Sequence, residues 1–253
     1  MKKIFVLLAI AATLSAVSCS KNNANKKEKG GKEDSEYVQP IKIDGDFSDW
    51  AKLDASKVAT ATCDPDATKT ALKLVKVYAD KVFVFIYFEW DKEEVPHYAP
   101  TNPEDPNTGA YAPFHIYMNG DGSTATGGFA GQWSDAATDV LFEGTLYPDG
   151  VNLASYEPSL FSWAGEVNGS EWAWTSLGDI SGICAGAGVE GKYEISIVRE
   201  LYPIGKLADT FSLGIDIQDA GWNSVGILPI GHVEEGVEGS TEIIPSLTVV
   251  TNK

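Results

Sequence analysis

Apolar residues fall along this chain in short runs, each closed by Gly, Asp, Asn or Pro. IKIDG (41–45), TALKLVKVYA (70–79), KVFVFIYFEW (81–90) and PFHIYM (113–118) are rich in β-branched and aromatic residues. So are TDVLFEGTLY (138–147), KYEISIV (192–198), TFSLGIDIQDA (210–220) and IIPSLTVV (243–250). Each predicts a strand. Ala79-Asp80, between two apolar runs, predicts a tight hairpin turn. In VFVFIYF both alternating faces are apolar: Val82, Val84, Ile86 and Phe88 on one, Phe83, Phe85 and Tyr87 on the other. That pattern belongs to a central strand covered on both sides, or to one whose second face lines an aromatic groove. No helical periodicity runs beyond two turns, and SDWAKLDASKV (48–58) suits only a short turn of helix. Many strands without interleaved helices predict a single all-β domain, an antiparallel β-sandwich, over residues 38–253.

The N-terminus is of another kind. Lys2 and Lys3 precede IFVLLAIAATL, an apolar stretch too short to span a bilayer, and small residues then lead to Cys19. This is the pattern of a secretory signal, assigned to residues 1–18. Its ending resembles the lipobox of bacterial lipoproteins, which implies that Cys19 is acylated and that the protein is held at the outer membrane, on its periplasmic face or at the cell surface. An ordinary cleaved secretion signal is the alternative. Residues 20–36 contain no aromatic or β-branched side chain, so they cannot bury enough apolar surface to offset the entropy of ordering. Residues 19–37 are therefore read as a lipidated cysteine and a disordered tether.

Charge narrows the partners. The whole chain carries a formal charge of −17, and residues 37–253 hold 12 basic against 32 acidic side chains. Such a domain is repelled by phosphate backbones and by anionic lipid surfaces. Nucleic acid is excluded on that ground, and the membrane is met only through the anchor. Neutral polymers and cations are compatible. Cys63 and Cys184 are left beyond Cys19, either as a disulfide or as two thiols.

Several motifs occur together in one order. IDGDFSDWAKL (43–53) precedes a hairpin ending in YFEWD (87–91). IYMNGDGSTATGG (116–128) follows with TDVLFEG (138–144), then KYEISIVRELYP (192–203) and DIQDAGWNSVGILP (216–229). Taken together they resemble the family 9 carbohydrate-binding modules and their DOMON-like relatives, over nearly all of residues 41–250. Departures are Asn119 at the first acidic position of the loop and Val198 where a proline is common. The resemblance implies a β-sandwich that binds a sugar.

Sugars are held by laying the C–H face of a ring on an aromatic side chain, with polar groups meeting the hydroxyls. Of the seven tryptophans, Trp50 in the opening motif and Trp172 and Trp174 in EWAW are expected in the core. Trp90 closes a strand before a long loop. Trp133, Trp163 and Trp222 fall in irregular, Gly-rich stretches, where a rigid scaffold carries binding residues. These four, with Tyr98 from the loop 91–113, are the candidate ligand-binding residues. His97 and Tyr111 lie on the same loop, which is either a groove wall or a surface lid without specific contacts.

In NGDGSTATGG (119–128), Asn119, Asp121 and Ser123 alternate around glycines, and Asp139 or Glu143 can join them if TDVLFEG pairs beside the loop. Hard cations take six to eight oxygens, so a calcium ion is one reading of this set. A hairpin tip whose Asn and Asp serve turn geometry is the other. Catalytic signatures are absent: His97, His115 and His232 are scattered, with no metalloprotease or serine-hydrolase motif. Haem ligation needs an axial Met or His, and Met118 alternates with Phe114 and Ile116 on a core face. The functional expectation is a cell-envelope lipoprotein that binds a carbohydrate without catalysis, beside glycan-utilisation enzymes or transporters. A glycan-processing enzyme of related fold is one alternative, and a structural or protein-interaction lipoprotein without sugar affinity is the other.

Overall fold

The computed structural model describes residues 37–64, 67, 69–91, 93–95, 112–128, 133, 136–146, 159–179, 183–189, 191–201, 204–219, 221–230 and 246–253. The signal, Cys19, His97, Tyr98, Tyr111 and His232 lie outside them. All the strands belong to the unit Gln39–Lys253.

Two antiparallel sheets face each other. The first has the order β1 (Ala59–Thr62), β2 (Leu72–Ala79), β3 (Phe83–Trp90), β9 (Lys192–Val198), β8 (Cys184–Val189). The second runs β13 (Ser224–Leu228), β12 (Thr210–Gln218), β4 (Ala112–Asn119), β5 (Val140–Leu146), β6 (Ser159–Trp163), β7 (Trp174–Asp179). On the same edge of β12 as β13, β14 (Leu247–Val250) pairs with Thr210–Leu213. A short β10–β11 ribbon joins Glu200–Leu201 to Gly205–Lys206. The period-2 patterning of each long strand sends one face inward. Val84, Ile86, Phe88, Ile195 and Ile197 from the first sheet meet Phe114, Ile116, Met118, Phe142 and Ile215 from the second in one buried cluster. Phe88 and Phe114 touch across the sandwich at 5.5 Å between ring centroids. The fold is thus an antiparallel β-sandwich.

The expected turn after Ala79 forms, with Ala79 opposite Val84. Asp80 closes it, its carboxylate accepting the N–H groups of Val82 and Phe83 at 2.8 and 2.9 Å. Arg199, also buried, donates to the carbonyls of Leu207 and Ala208 and so ties the strand ends together.

β3 is central and its second face is covered, which resolves the two readings of VFVFIYF. Phe85 and Tyr87 carry a satellite core made with Ile41 and Trp50. IKIDG is not a strand, contrary to its pattern. The segment instead lies over β3, and the chain then turns through two short 3-10 helices, Phe47–Lys52 and Ala55–Lys57, capped by Asp46 and Asp54. Glu194, fully buried on β9, holds it there. One carboxylate oxygen accepts the N–H groups of Asp44 and Gly45 at 3.0 and 2.9 Å, and the other accepts the Trp50 indole N–H at 3.2 Å. Gly45 has φ +79°, a conformation that suits glycine and brings both amides to one acceptor. This explains why I-D-G and D-W stand near each other at the start of the domain: both are partners of one acid.

Cys63 and Cys184 are free thiols, both raised in pKa by burial, Cys184 to about 12. Burial thus disfavours the thiolate at both.

Removing Glu194 leaves three donors without an acceptor. Glu194→Ala is expected to cost about 3 kcal/mol and Glu194→Gln, which keeps one acceptor oxygen, about 1 kcal/mol. Urea unfolding of both variants checks the order, and equal losses would contradict it.

Candidate functional site

β4 alternates: Phe114, Ile116 and Met118 enter the core, while His115 and Tyr117 point outward from the second sheet. Register then sets a polar row across three strands, because His115 lies opposite Glu143 on β5 and opposite Asp216 on β12. His115 Nε2 and Glu143 Oε2 are 3.0 Å apart, and Nδ1 lies 3.0 Å from the Tyr117 hydroxyl. A carboxylate only accepts, so Nε2 carries the hydrogen and, in the neutral ring, Nδ1 accepts from Tyr117. Burial, with the charges of Asp216 and Glu143, raises the Tyr117 hydroxyl well above its ordinary range and keeps it protonated.

Asp216 is the fully buried member of this row. One oxygen accepts from the Gln218 amide nitrogen at 3.0 Å and from the Ser224 hydroxyl at 2.8 Å. Among the described residues the other has no hydrogen-bond partner, and neither has the side-chain oxygen of Gln218. Desolvation lifts Asp216 from 3.8 to about 6, against the lowering effect of its hydrogen bonds and of the nearby His115 and Lys69.

Over this floor opens a cleft of about 630 Å³, lined also by Phe161 and walled by Trp172 and Trp222. The two indoles are 58% and 59% exposed. Both ring centroids lie 5.9 Å from that of His115, Trp222 at 18° to its plane and Trp172 at 38°. Each comes from a braced loop. Trp222 has φ +64°, unusual for a bulky residue. Asp219 holds that turn, its carboxylate accepting the N–H groups of Gly221 and Asn223 at 2.8 and 2.9 Å. Trp172 precedes β7, at the end of the β6–β7 connection. That connection is tied by Ala164 N–H to Ala173 and by Asn168 N–H to Gly127 at 3.0 Å. The Gly127 contact comes from NGDGSTATGG. Its neighbour Gly128 pairs with Thr138 and packs so closely under Trp163 that a Cβ there would lie 2.2 Å from the indole.

The candidate residues therefore separate. Trp222 is on the cleft. Trp90, expected toward solvent, is 4% exposed and belongs to the core, because β3 continues through it and pairs it with Leu72. Trp133 is a second correction, at 1% exposure. It lies over Gly214 and beside Tyr117, donating to the Pro229 carbonyl at 2.9 Å, and so supports the floor from outside the cleft. Trp163 is half-buried on β6, not in an irregular stretch, and meets Trp174 edge-on at 5.2 Å. The alternation of EWAW places Trp172 in the core with Trp174, but β7 starts only at Trp174, so the alternation does not reach it. His115, Glu143 and Gln218 line the cleft and Asp216 lies beside them in the sheet, although none of the four is among the candidate ligand-binding residues. Their signal in the sequence is a polar residue interrupting the apolar alternation at mid-strand in three segments.

The Asp121 and Asp139 carboxylates face the loop's own donors, while the Asn119 side-chain oxygen is buried without a hydrogen-bond partner among the described residues. Asp121 accepts from Ser123 N–H at 2.8 Å and from the Thr126 hydroxyl at 2.6 Å, and Asp139 accepts from Gly120 N–H at 2.6 Å. Asn119 donates to the Ser123 carbonyl at 3.0 Å, and the Ser123 hydroxyl accepts from Ala125 N–H. Among the described residues no three His, Cys, Asp or Glu side chains gather as a metal set.

No protein-family profile matches the chain, and no curated protein sequence matches it. Among solved structures it is similar to a family 9 carbohydrate-binding module from Caldicellulosiruptor kristjanssonii, solved with cellotriose and with glucose. The cellotriose structure is 10% identical with a TM-score of 0.38, the match covering 85% of this chain and 90% of that one. For the glucose structure the values are 11%, 0.38, 85% and 93%.

Asp216 has its pKa raised by folding, so its contribution to stability is full below about pH 3.8 and is lost as pH rises through about 6. Asp216→Asn is expected to remove that loss, gaining on the order of 2–3 kcal/mol at neutral pH. Urea unfolding across this window checks it, and an unchanged pH dependence would contradict it. Asp121→Ala is expected to lower stability by about 1 kcal/mol, with the same melting temperature in calcium and in chelator. A calcium-dependent rise in the parent protein that vanishes in the variant would return the loop to a metal role.

Proposed function

We propose that this protein is a non-catalytic carbohydrate-binding lipoprotein of the cell envelope, and that the cleft between Trp172 and Trp222 is its sugar site. The observation that carries the reading is the pair of exposed indoles set over a polar floor. A pyranose presents a C–H face that an aromatic ring covers and a rim of hydroxyls that need hydrogen-bond partners. Large apolar side chains on a soluble domain are ordinarily buried unless a ligand or partner covers them. Here two of the largest stand beside one opening, with Glu143 and Gln218 within it. The cleft falls within the size range of small-ligand sites. Its loops are braced by Asp219 and by the Gly127–Gly128 contacts, so little ordering entropy is lost on binding.

The signal pattern, the Cys19 position and the polar segment that follows support anchoring by lipid, with the domain offering glycan to enzymes or transporters of the envelope. The acidic charge suits uncharged polymers.

A glycan array of oligo- and polysaccharides, neutral and amino-sugar types both included, probes the reading, followed by titration of the strongest hit. Binding without release of products is expected. Trp172→Ala and Trp222→Ala are each expected to weaken it tenfold or more, about 1.4 kcal/mol, with unchanged melting. Product release would turn the reading to an enzyme, and silence across the array would remove the sugar site.

A further inference from the structure

Apart from the indole N–H groups of Trp172 and Trp222, the hydrogen-bonding side chains that line the cleft are acceptors or are already bonded to one another. Gln218 directs its amide nitrogen at Asp216, and the reverse orientation would set an amide oxygen against a carboxylate. Its own oxygen is thereby left as an acceptor, buried without a hydrogen-bond partner among the described residues. Tyr117 and His115 are bonded to each other, and His115 is bonded to Glu143. Among the described residues Glu143 is the one carboxylate in the lining, and no lysine or arginine lines the cleft. Lys69 acts on Asp216 from outside that lining. The walls are the π faces of Trp172 and Trp222, which are negative at their centres. Each of these features favours a ligand that brings hydrogen-bond donors and positive charge, and disfavours one that brings a carboxylate or sulfate.

We propose that the cleft selects an amino sugar, a pyranose carrying a free ammonium group, over its neutral and anionic counterparts. The proposal rests on the carbohydrate reading of the same cleft. An ammonium offers three donors, which suits a lining whose side chains include the Glu143 carboxylate and the Gln218 amide. At the rim of two indoles it also gains cation–π attraction, which grows as water is excluded. Asp216 adds negative charge from the same row in a poorly solvated floor. An N-acetyl group in the same position removes the charge and two of the three donors. The orientation implied has the amine toward Glu143 and the ring face on an indole.

The test is titration of the protein with methyl glucosaminide, methyl glucoside and methyl glucuronide, and with the corresponding galactose series, so that ring stereochemistry is not the only variable. At a pH where the amine is protonated, the amino glycoside of the preferred series is expected to bind at least tenfold tighter than the neutral one, with the uronide below detection. Raised salt is expected to narrow that ratio, and Glu143→Gln to bring it to within about threefold, the ratio rather than either affinity being the readout. A neutral glycoside that binds as tightly as its amino counterpart overturns this inference and leaves the carbohydrate reading intact. Failure of every glycoside in both series overturns the two together. Because the ratio is measured on the parent protein, the outcome does not hang on the folding of a variant.

Discussion

The pleat of β4 sends Phe114, Ile116 and Met118 into the sandwich and His115 and Tyr117 out of it, and the pairing of β4 with β5 and β12 fixes which residues flank His115. A one-residue slip in either ladder would turn the apolar set of that strand outward, so the core itself locks the register. The site inherits that precision. Glu143, His115 and Asp216 lie in one row because burial of their neighbours admits no other alignment. Asp216 is costly there, as its raised pKa indicates, and its position beside a cleft is where such a cost is commonly found.

The parts that lie over the row depend on loops held from outside the sheet. Trp222 sits in a left-handed backbone conformation enforced by Asp219 and Asn223. Trp172 depends on a connection fastened to Gly127 and packed, through Trp163, on Gly128. NGDGSTATGG thus acts as a brace, and its glycines are demanded by close approach. Trp133, from the same connection, closes the outer face of the sheet beside Tyr117. At the other sheet Glu194 plays a comparable part for the opening segment, so that each outer face is covered in part by irregular chain held by particular hydrogen bonds.

Strands with an unbroken β-branched and aromatic alternation are legible in the sequence: β2, β3, β4, β5, β9 and β12 stand where their patterns place them, and the sandwich follows from their number. ATAT, CAGAGV and SVGIL are not: each is short and interrupted by Ala, Gly or Ser, and each becomes a strand by pairing with a stronger neighbour. IKIDG fails the other way: its alternation is real, but its apolar residue packs on β3 while its amides are taken by Glu194 and not by a ladder. Among tryptophans, proximity to a loop is a poor guide. Trp90 and Trp133 are buried by residues far away in sequence, whereas Trp172 is exposed because its strand begins two residues later. The polar floor is visible only in part, since aligning His115, Glu143 and Asp216 requires the register of three strands.

Closure of Trp172 and Trp222 on a sugar over the His115 floor is read most directly from the tryptophan indole N–H resonances, assigned by single substitutions and followed as a glycan is titrated. Those of Trp172 and Trp222 are predicted to move together to saturation while those of Trp90 and Trp133 stay in place. Saturable glycan binding that leaves the Trp172 and Trp222 signals unmoved would contradict it.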